Sequence, residues 1–278
     1  TTIFQDNENF KINNEVSSLW LNNQIKELKN KDNLTIKLRT SLAAYHSYNF
    51  LLARENLSDH KSLDERSNKL RQRLWKIRAK KVILATGAIE RPLIFNNNDR
   101  PGVMLANSVK KYIDFFGVRC GDKNVIFTNN DSAYETAISL NKKGIDVVIV
   151  DIRKKTSSVL AQNAKDLGIR IYWKHTVVDT KGYRRIKSIQ IMEMSDDNTN
   201  VIGNRINLPC DNLSISGGWT PMVHLFTQSG GKLKFRDSDQ VFLPKTAMSD
   251  QISIGSVSYT HLRAHETRED RGCRGGRV

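Results

Sequence analysis

From residue 125 to residue 173 apolar strands alternate with amphipathic helices, and this grammar leaves few folds open. An apolar run at 125–127 leads into the loop 128–131, then a helix from Ser132 that turns Ala133, Ala137 and Leu140 inward and stops at Gly144. A second run, 147–150, closes on Asp151. The next helix carries Leu160, Ala164 and Leu167 on one face with Gly168 at its end, and 169–173 reads as a third strand. Successive strands joined by single helices must lie parallel, because each crossover returns the chain to the same end of the sheet. The predicted class is therefore α/β. Upstream, Asn107 or Ser108 is expected to cap a helix with Val109, Ile113 and Phe116 on its apolar side and Gly117 at its end.

The flanks follow a different period. Leu34, Ile36 and Leu38 alternate with polar residues, 45–54 is extended, and a further strand starts at Leu74 with Trp75, Ile77 and Ala79 on one side and Lys76, Arg78 and Lys80 on the other. Together these predict an antiparallel meander with 55–68 as its long loop. A second antiparallel excursion is expected around Ile186, Ile189 and Ile191, turning at 195–200. Two segments echo each other: VILATGAIERP at 82–92 and LSISGGWTP at 213–221 both read as strand, glycine turn and proline. A last short strand, 252–254, precedes Gly255.

With 38% apolar and 26% charged residues in 278, the chain has the balance of a globular protein. No apolar run reaches membrane-spanning length and no secretion signal opens the chain, so a cytoplasmic, non-membrane protein is expected. Cys120, Cys210 and Cys273 are too widely spaced for a dithiol or zinc motif. The segment 257–278 has no apolar period, and its first eleven residues, VSYTHLRAHET, resemble one reading frame through a sequencing-library adapter. It is expected to be an artefactual tail, which also removes weight from the i, i+4 pair His261 and His265.

A strand, tight loop and helix N-terminus form a natural anion site, since the first helical amides lack internal partners. The 125–135 stretch has that layout. In the dinucleotide fingerprint, glycines would stand at Thr128, Asn130 and Ala133, with Asp151 as the acid for a ribose hydroxyl; only Ala133 is an accepted substitute. Nucleotide binding and a nucleotide fold kept for packing both remain open here, as do a 2′-phosphate role and a solvated helix start for Arg153, Lys154 and Lys155. Residues 66–81 hold eight basic side chains and no acid after Arg66. Because Trp75 alternates away from Lys76 and Arg78, it is expected in the core, and the basic strip reads as a solvated strand face or a docking face for an acidic subunit, without nucleic acid. His46, His60, His175 and His224 stand apart from any nucleophile motif.

Four stretches are more specific. RLWKIRAKKVILATGAIERPL (73–93), NDRPGVML (98–105), FTNNDSAYETA (127–137) and SGGWTPMVHLFTQSGGKL (216–233) resemble the alpha subunits of heterotetrameric sarcosine oxidases, and the resemblance spreads over most of residues 1–256. It implies two glutathione-reductase-like FAD/NAD(P)-binding domains, the first interrupted by the second. The implied divisions are 1–105 with the meander, a degenerate second domain at 106–210, a return to the first at 211–256, and the tail at 257–278; a leading strand and glycine loop are expected upstream of Thr1. The resemblance implies oxidative demethylation of sarcosine to glycine, with formaldehyde or methylene-tetrahydrofolate and hydrogen peroxide as products. NAD is implied in the alpha subunit and FAD and FMN in the complex, with beta, gamma and delta subunits as partners and tetrahydrofolate held by a region beyond this chain. Thr86, Gly87 and Ala88 match the turn lining the first dinucleotide site, and Gly217, Gly218 and Gly255 match later turns near that cofactor. No residue here is expected to be catalytic, since amine oxidation belongs to the beta subunit. Related amine or imino-acid dehydrogenase subunits and a cofactor-free assembly scaffold are the alternatives.

Overall fold

A computed structural model describes residues 11–12, 14–66 and 69–258, so His261, His265 and Cys273 lie outside the described residues. The chain divides into two compact units: one runs to Ala88 and resumes at Pro221, and the other spans Ile89 to Thr220.

The first unit opens with β1 (Lys11–Ile12), β2 (Glu15–Val16) and α1 (Ser17–Lys29). An antiparallel meander follows in the order β3 (Thr40–His46), β4 (Phe50–Asn56), β5 (Gln72–Arg78), with α2 (Leu63–Arg66) in its long connection. Its first strand starts later than the alternation at Leu34, Ile36 and Leu38 predicted. Those three side chains are exposed on irregular backbone, and Arg39 turns the chain through a φ of 49° before Thr40 pairs with Glu55. Alternation marks a strand only where a partner lies beside it. Trp75 also departs from expectation: it lies opposite the buried Ala53 but is half-buried, donates from Nε1 to Glu55 at 2.7 Å, and has the Lys37 ammonium 4.2 Å from its ring centroid. It closes the edge of the meander among cations instead of entering the core. The core of this unit gathers Tyr45, Leu51, Leu84 and Phe226. Tyr45 donates its hydroxyl to Asn49, whose amide donates in turn to the carbonyls of Lys80 and Asp250.

After β6 (Val82–Leu84) and β7 (Ala88–Glu90) comes the second unit. It contains β8 (Val103–Leu105), α3 (Ala106–Phe116), β9 (Lys123–Thr128), α4 (Ser132–Lys142), β10 (Asp146–Asp151), α5 (Val159–Asp166) and β11 (Arg170–Trp173). An antiparallel sheet of β12 (His175–Lys181), β13 (Ser188–Met194) and β14 (Val201–Pro209) leads into β15 (Asn212–Ser216). The expected parallel sheet is present in the order β11-β10-β9-β15-β8. It is covered on both faces. Ile126 packs with Val109, Ala137, Leu140, Ala161 and Ala164 on the helical side, while Val125 and Phe127 pack with Ile186, Ile189 and Ile191 on the antiparallel side. Two-sided burial explains why these strands read as unbroken apolar runs.

Two helical details differ from the sequence reading. α3 starts at Ala106, with Leu105 at the cap position and no side-chain cap of its own; the Glu90 carboxylate accepts from the Asn107 amide at 2.8 Å instead. Phe116 and Leu167 are exposed: Phe116 is the last residue of α3, and Leu167 is the C-cap residue that follows α5. β16 (Trp219–Pro221) pairs with β7, and the chain passes between the units within these two strands. The compact units change over at 88/89 and 220/221, while the divisions implied by the resemblance stand at 105/106 and 210/211; β8 and β15 are hydrogen-bonded members of the second unit's sheet.

On its return the first unit adds α6 (His224–Gln228), the hairpin β17 (Lys232–Arg236) and β18 (Val241–Thr246), and β19 (Gln251–Ser253), which lies parallel to β6. A 3-10 turn at Gly255–Ser258 follows, with Val257 fully buried. Val257, expected to begin the tail, is therefore part of this unit's interior. No helix among the described residues is long and apolar enough to cross a membrane, and no group of His, Cys, Asp and Glu among them is arranged to hold a metal ion.

Candidate functional site

In the first unit β6 and β19 pair in register, Leu84 opposite Ser253, and Ile254 donates its amide to the Leu84 carbonyl. Two of the sequence-singled turns leave the carboxyl ends of these parallel strands: Thr86, Gly87 and Ala88 after β6, and Gly255 after β19. The carboxyl edge of a parallel sheet is where nucleotide-binding folds place their ligands. Both glycines have left-handed backbones, φ 76° at Gly87 and 73° at Gly255, and a Cβ built on either would meet no atom of the described residues within 4 Å. Among the described residues there is room for a group beside the Cα of each glycine. Thr86 is not free to act as a donor, since its hydroxyl binds the Met222 carbonyl at 2.7 Å while the Met222 amide binds the Gly87 carbonyl at 2.9 Å, so the threonine fixes the turn. The Ser253 hydroxyl is shielded from solvent and has no hydrogen-bond partner among the described residues. A buried orphan of this kind at the mouth of a parallel pair has the chemistry a polar ligand would satisfy.

Gly217 and Gly218 lie in the second unit, in a turn that packs against Arg91 and Pro92. A Cβ on Gly217 would sit 3.0 Å from the Pro92 carbonyl and 3.2 Å from that of Arg91. Gly217 and Arg91 exchange backbone hydrogen bonds with this same turn, Gly217 donating to Arg91 at 2.7 Å and Arg91 donating to Gly218 at 2.8 Å. The two sequence echoes thus meet each other at this turn.

The fingerprint loop of the second unit is also built at the carboxyl edge, between β9 and α4, and its side chains are engaged throughout. Asn130 accepts from the Ser132 amide at 3.1 Å and from the Ser132 hydroxyl at 2.6 Å, and its own amide donates to the carbonyl and hydroxyl of Ser216 at 3.1 and 3.0 Å. Trp219 donates its indole N–H to Ser132 Oγ at 3.0 Å. Asp151, fully buried, accepts from Tyr134 Oη at 2.7 Å and from the Arg153 amide, Nε and guanidinium NH2 group at 2.9, 3.1 and 2.8 Å. The same guanidinium donates to Asp131 at 2.7 Å. Burial, then the charge of Asp151, raises the Tyr134 pKa, so the phenol stays protonated as donor. Burial opposes the Arg153 charge, but Asp151 and then Asp131 outweigh it and the guanidinium is held cationic. Sequence reasoning identified Asp151 and Arg153 but not their mutual commitment. The signal was present in the spacing, since Arg153 stands two residues past an acid at a strand end.

The remaining flagged residues stay apart. His175 binds the Trp173 carbonyl at 2.7 Å, Cys210 is buried with its thiol pushed up to about 12 by burial and by Asp211, and Cys120 is half-buried.

A parallel sheet covered by helices and by an antiparallel sheet, inserted into a unit with a parallel pair and a meander, is the FAD/NAD(P)-binding fold of flavoprotein oxidoreductases. Thioredoxin reductase from T. acidophilum is similar with a TM-score of 0.62 and 17% identity, covering 91% of this chain and 76% of that one. L-proline dehydrogenase from P. horikoshii follows at 0.59 and 23%, covering 88% and 41%. No protein-family model matches the chain. In sequence it is a relative of the sarcosine oxidase alpha subunits. It is 33% identical over 249 residues to that of Corynebacterium sp. (strain P-1), covering 89% of this chain and 25% of the relative. It is likewise 33% identical over 240 residues to that of Rhizobium meliloti (strain 1021), covering 86% of this chain and 23% of the relative. The chain spans about a quarter of the length of these relatives.

Proposed function

We propose that this chain is the nucleotide-binding part of a sarcosine oxidase alpha subunit and that it holds NAD in its first unit. The observation that carries the reading is the pair of turns at the carboxyl ends of β6 and β19, each with a left-handed glycine, beside the Ser253 hydroxyl, which has no hydrogen-bond partner among the described residues. In this reading Gly87 and Gly255 admit the pyrophosphate to the backbone, Thr86 holds the turn through Met222, Ala88 leads the chain away, and Ser253 offers a hydroxyl. When bound, the nicotinamide supplies a two-electron acceptor. Sarcosine oxidation to glycine takes place on a flavin of the beta subunit in this reading, with FAD and FMN elsewhere in the complex, gamma and delta subunits completing it, and tetrahydrofolate accepting the methylene group outside this chain.

The test is an NAD+ titration of the assembled complex. Binding that weakens at least tenfold on Gly87→Val, with subunit assembly unchanged, is the expected result. Intact assembly without any NAD+ binding would leave a scaffold and remove the nucleotide from the reading.

A further inference from the structure

The dinucleotide fingerprint loop between β9 and α4 has the backbone course of a phosphate site, yet its hydrogen-bonding capacity is spent inside the chain. A dinucleotide at such a site needs three things: room beside the loop backbone, free amides at the helix N-terminus, and a carboxylate for the ribose hydroxyls. Each is taken. The second fingerprint position is Asn130, and it is not among the described residues with positive φ, so its side chain does not replace a glycine conformation. That side chain instead spans from the Ser132 amide at the helix start to Ser216 at the end of β15. The Tyr134 amide turns back to the Asp131 carbonyl at 3.1 Å. The carboxylate that would receive a ribose, Asp151, is fully buried under Tyr134 and Arg153, and Arg153 also neutralises Asp131 beside the helix N-terminus. A cation that might have met a 2′-phosphate is therefore engaged with two carboxylates, and opening the site for either dinucleotide would strand a buried charge.

We propose that the β9–α4 loop is a closed pseudo-site: its own Asn130, Asp131, Tyr134, Asp151 and Arg153 side chains make the contacts a dinucleotide would make, and the second unit holds neither NAD nor NADP. The Ser132 to Trp219 and Asn130 to Ser216 bonds give the loop a positioning role, since they fasten the start of α4 to the Gly217–Gly218 turn. The inference concerns the second unit alone and does not rest on the NAD reading of the first.

Calorimetric titration of NAD+, and separately NADP+, into the assembled complex tests it by stoichiometry and by two loop variants. Arg153→Met removes the internal cation, and Asn130→Asp keeps the acceptor for Ser132 while placing a negative charge where a pyrophosphate would lie. Should Arg153→Met fail to assemble, Asn130→Asp decides alone. The expected result is no more than one nucleotide per alpha chain, with any Kd moving less than twofold in Asn130→Asp. Two nucleotides per alpha chain, or a single one whose Kd rises tenfold in Asn130→Asp, would overturn the proposal. An absence of nucleotide in every protein leaves the closed loop standing and removes only the first-unit site, so the two readings fail separately.

Discussion

The turn after β6 in the first unit and the loop after β9 in the second both leave the carboxyl ends of parallel strands, and they have opposite character. The turn after β6 is held by one threonine and has empty space beside its glycine; the loop after β9 is filled by Asn130 and by an ion network around a fully buried carboxylate. The fold alone does not say whether such an edge is a site. What decides is where the donors and acceptors of the loop already go, and that depends on side chains from other segments of the chain, here Ser216, Arg153 and Trp219.

The largest effect expected from breaking this contrast is on the closed loop. Arg153→Ala leaves the buried Asp151 carboxylate without its counter-charge, with the Tyr134 hydroxyl and the backbone amide of residue 153 as donors, and should cost about 3 kcal/mol of second-unit stability in urea unfolding. Gly217→Ala comes next. Its new methyl meets the Pro92 carbonyl at 3.0 Å, so a loss of about 2 kcal/mol is expected, read by the same unfolding experiment. Gly87→Ala meets no atom of the described residues, so the left-handed backbone is what resists it and about 1 kcal/mol is expected. If Gly87→Ala proves costlier than Gly217→Ala, the contrast between an open and a packed turn is wrong.

A smaller effect sharpens the account through pH. Burial raises the Glu90 pKa above the usual carboxylate value, against hydrogen bonds from Ser216 and the Asn107 amide. The folded protein then holds this proton more tightly than the unfolded chain. Stability associated with Glu90 is greatest below the unfolded value and declines as pH rises through the raised folded value. Glu90→Gln should flatten that decline by at most about 1 kcal/mol, seen as a smaller difference between urea midpoints measured near pH 4 and near pH 7.

Much of the fold was legible because burial on two faces writes itself into the sequence. β9, β10, β11 and β15 and the inward alanines of α4 follow directly from apolar period, whereas β8, three residues long, was not read as a strand; Gly117, expected at its helix end, closes α3 with a left-handed backbone. Features that depend on distant partners were not legible. Leu34, Ile36 and Leu38 alternate without a neighbouring strand, Trp75 is claimed by Glu55 and Lys37 from elsewhere in the chain, and the cap of α3 comes from Glu90, seventeen residues before the amide it binds. The candidate site divides the same way. Glycine turns at 86–88 and 255 are local and could be read, whereas the closing of the 128–131 loop rests on Ser216, 86 residues beyond Asn130. Missing glycines hinted at weak binding there, but only the geometry shows what fills the space.

A crystal structure of the assembled complex soaked with NAD+ tests the contrast most directly. Nucleotide density against Gly87 and Gly255, with Asn130 still bound to Ser132 and Ser216, is the predicted result. Density against Asn130 and Ser132, with Arg153 swung off Asp151, would contradict it.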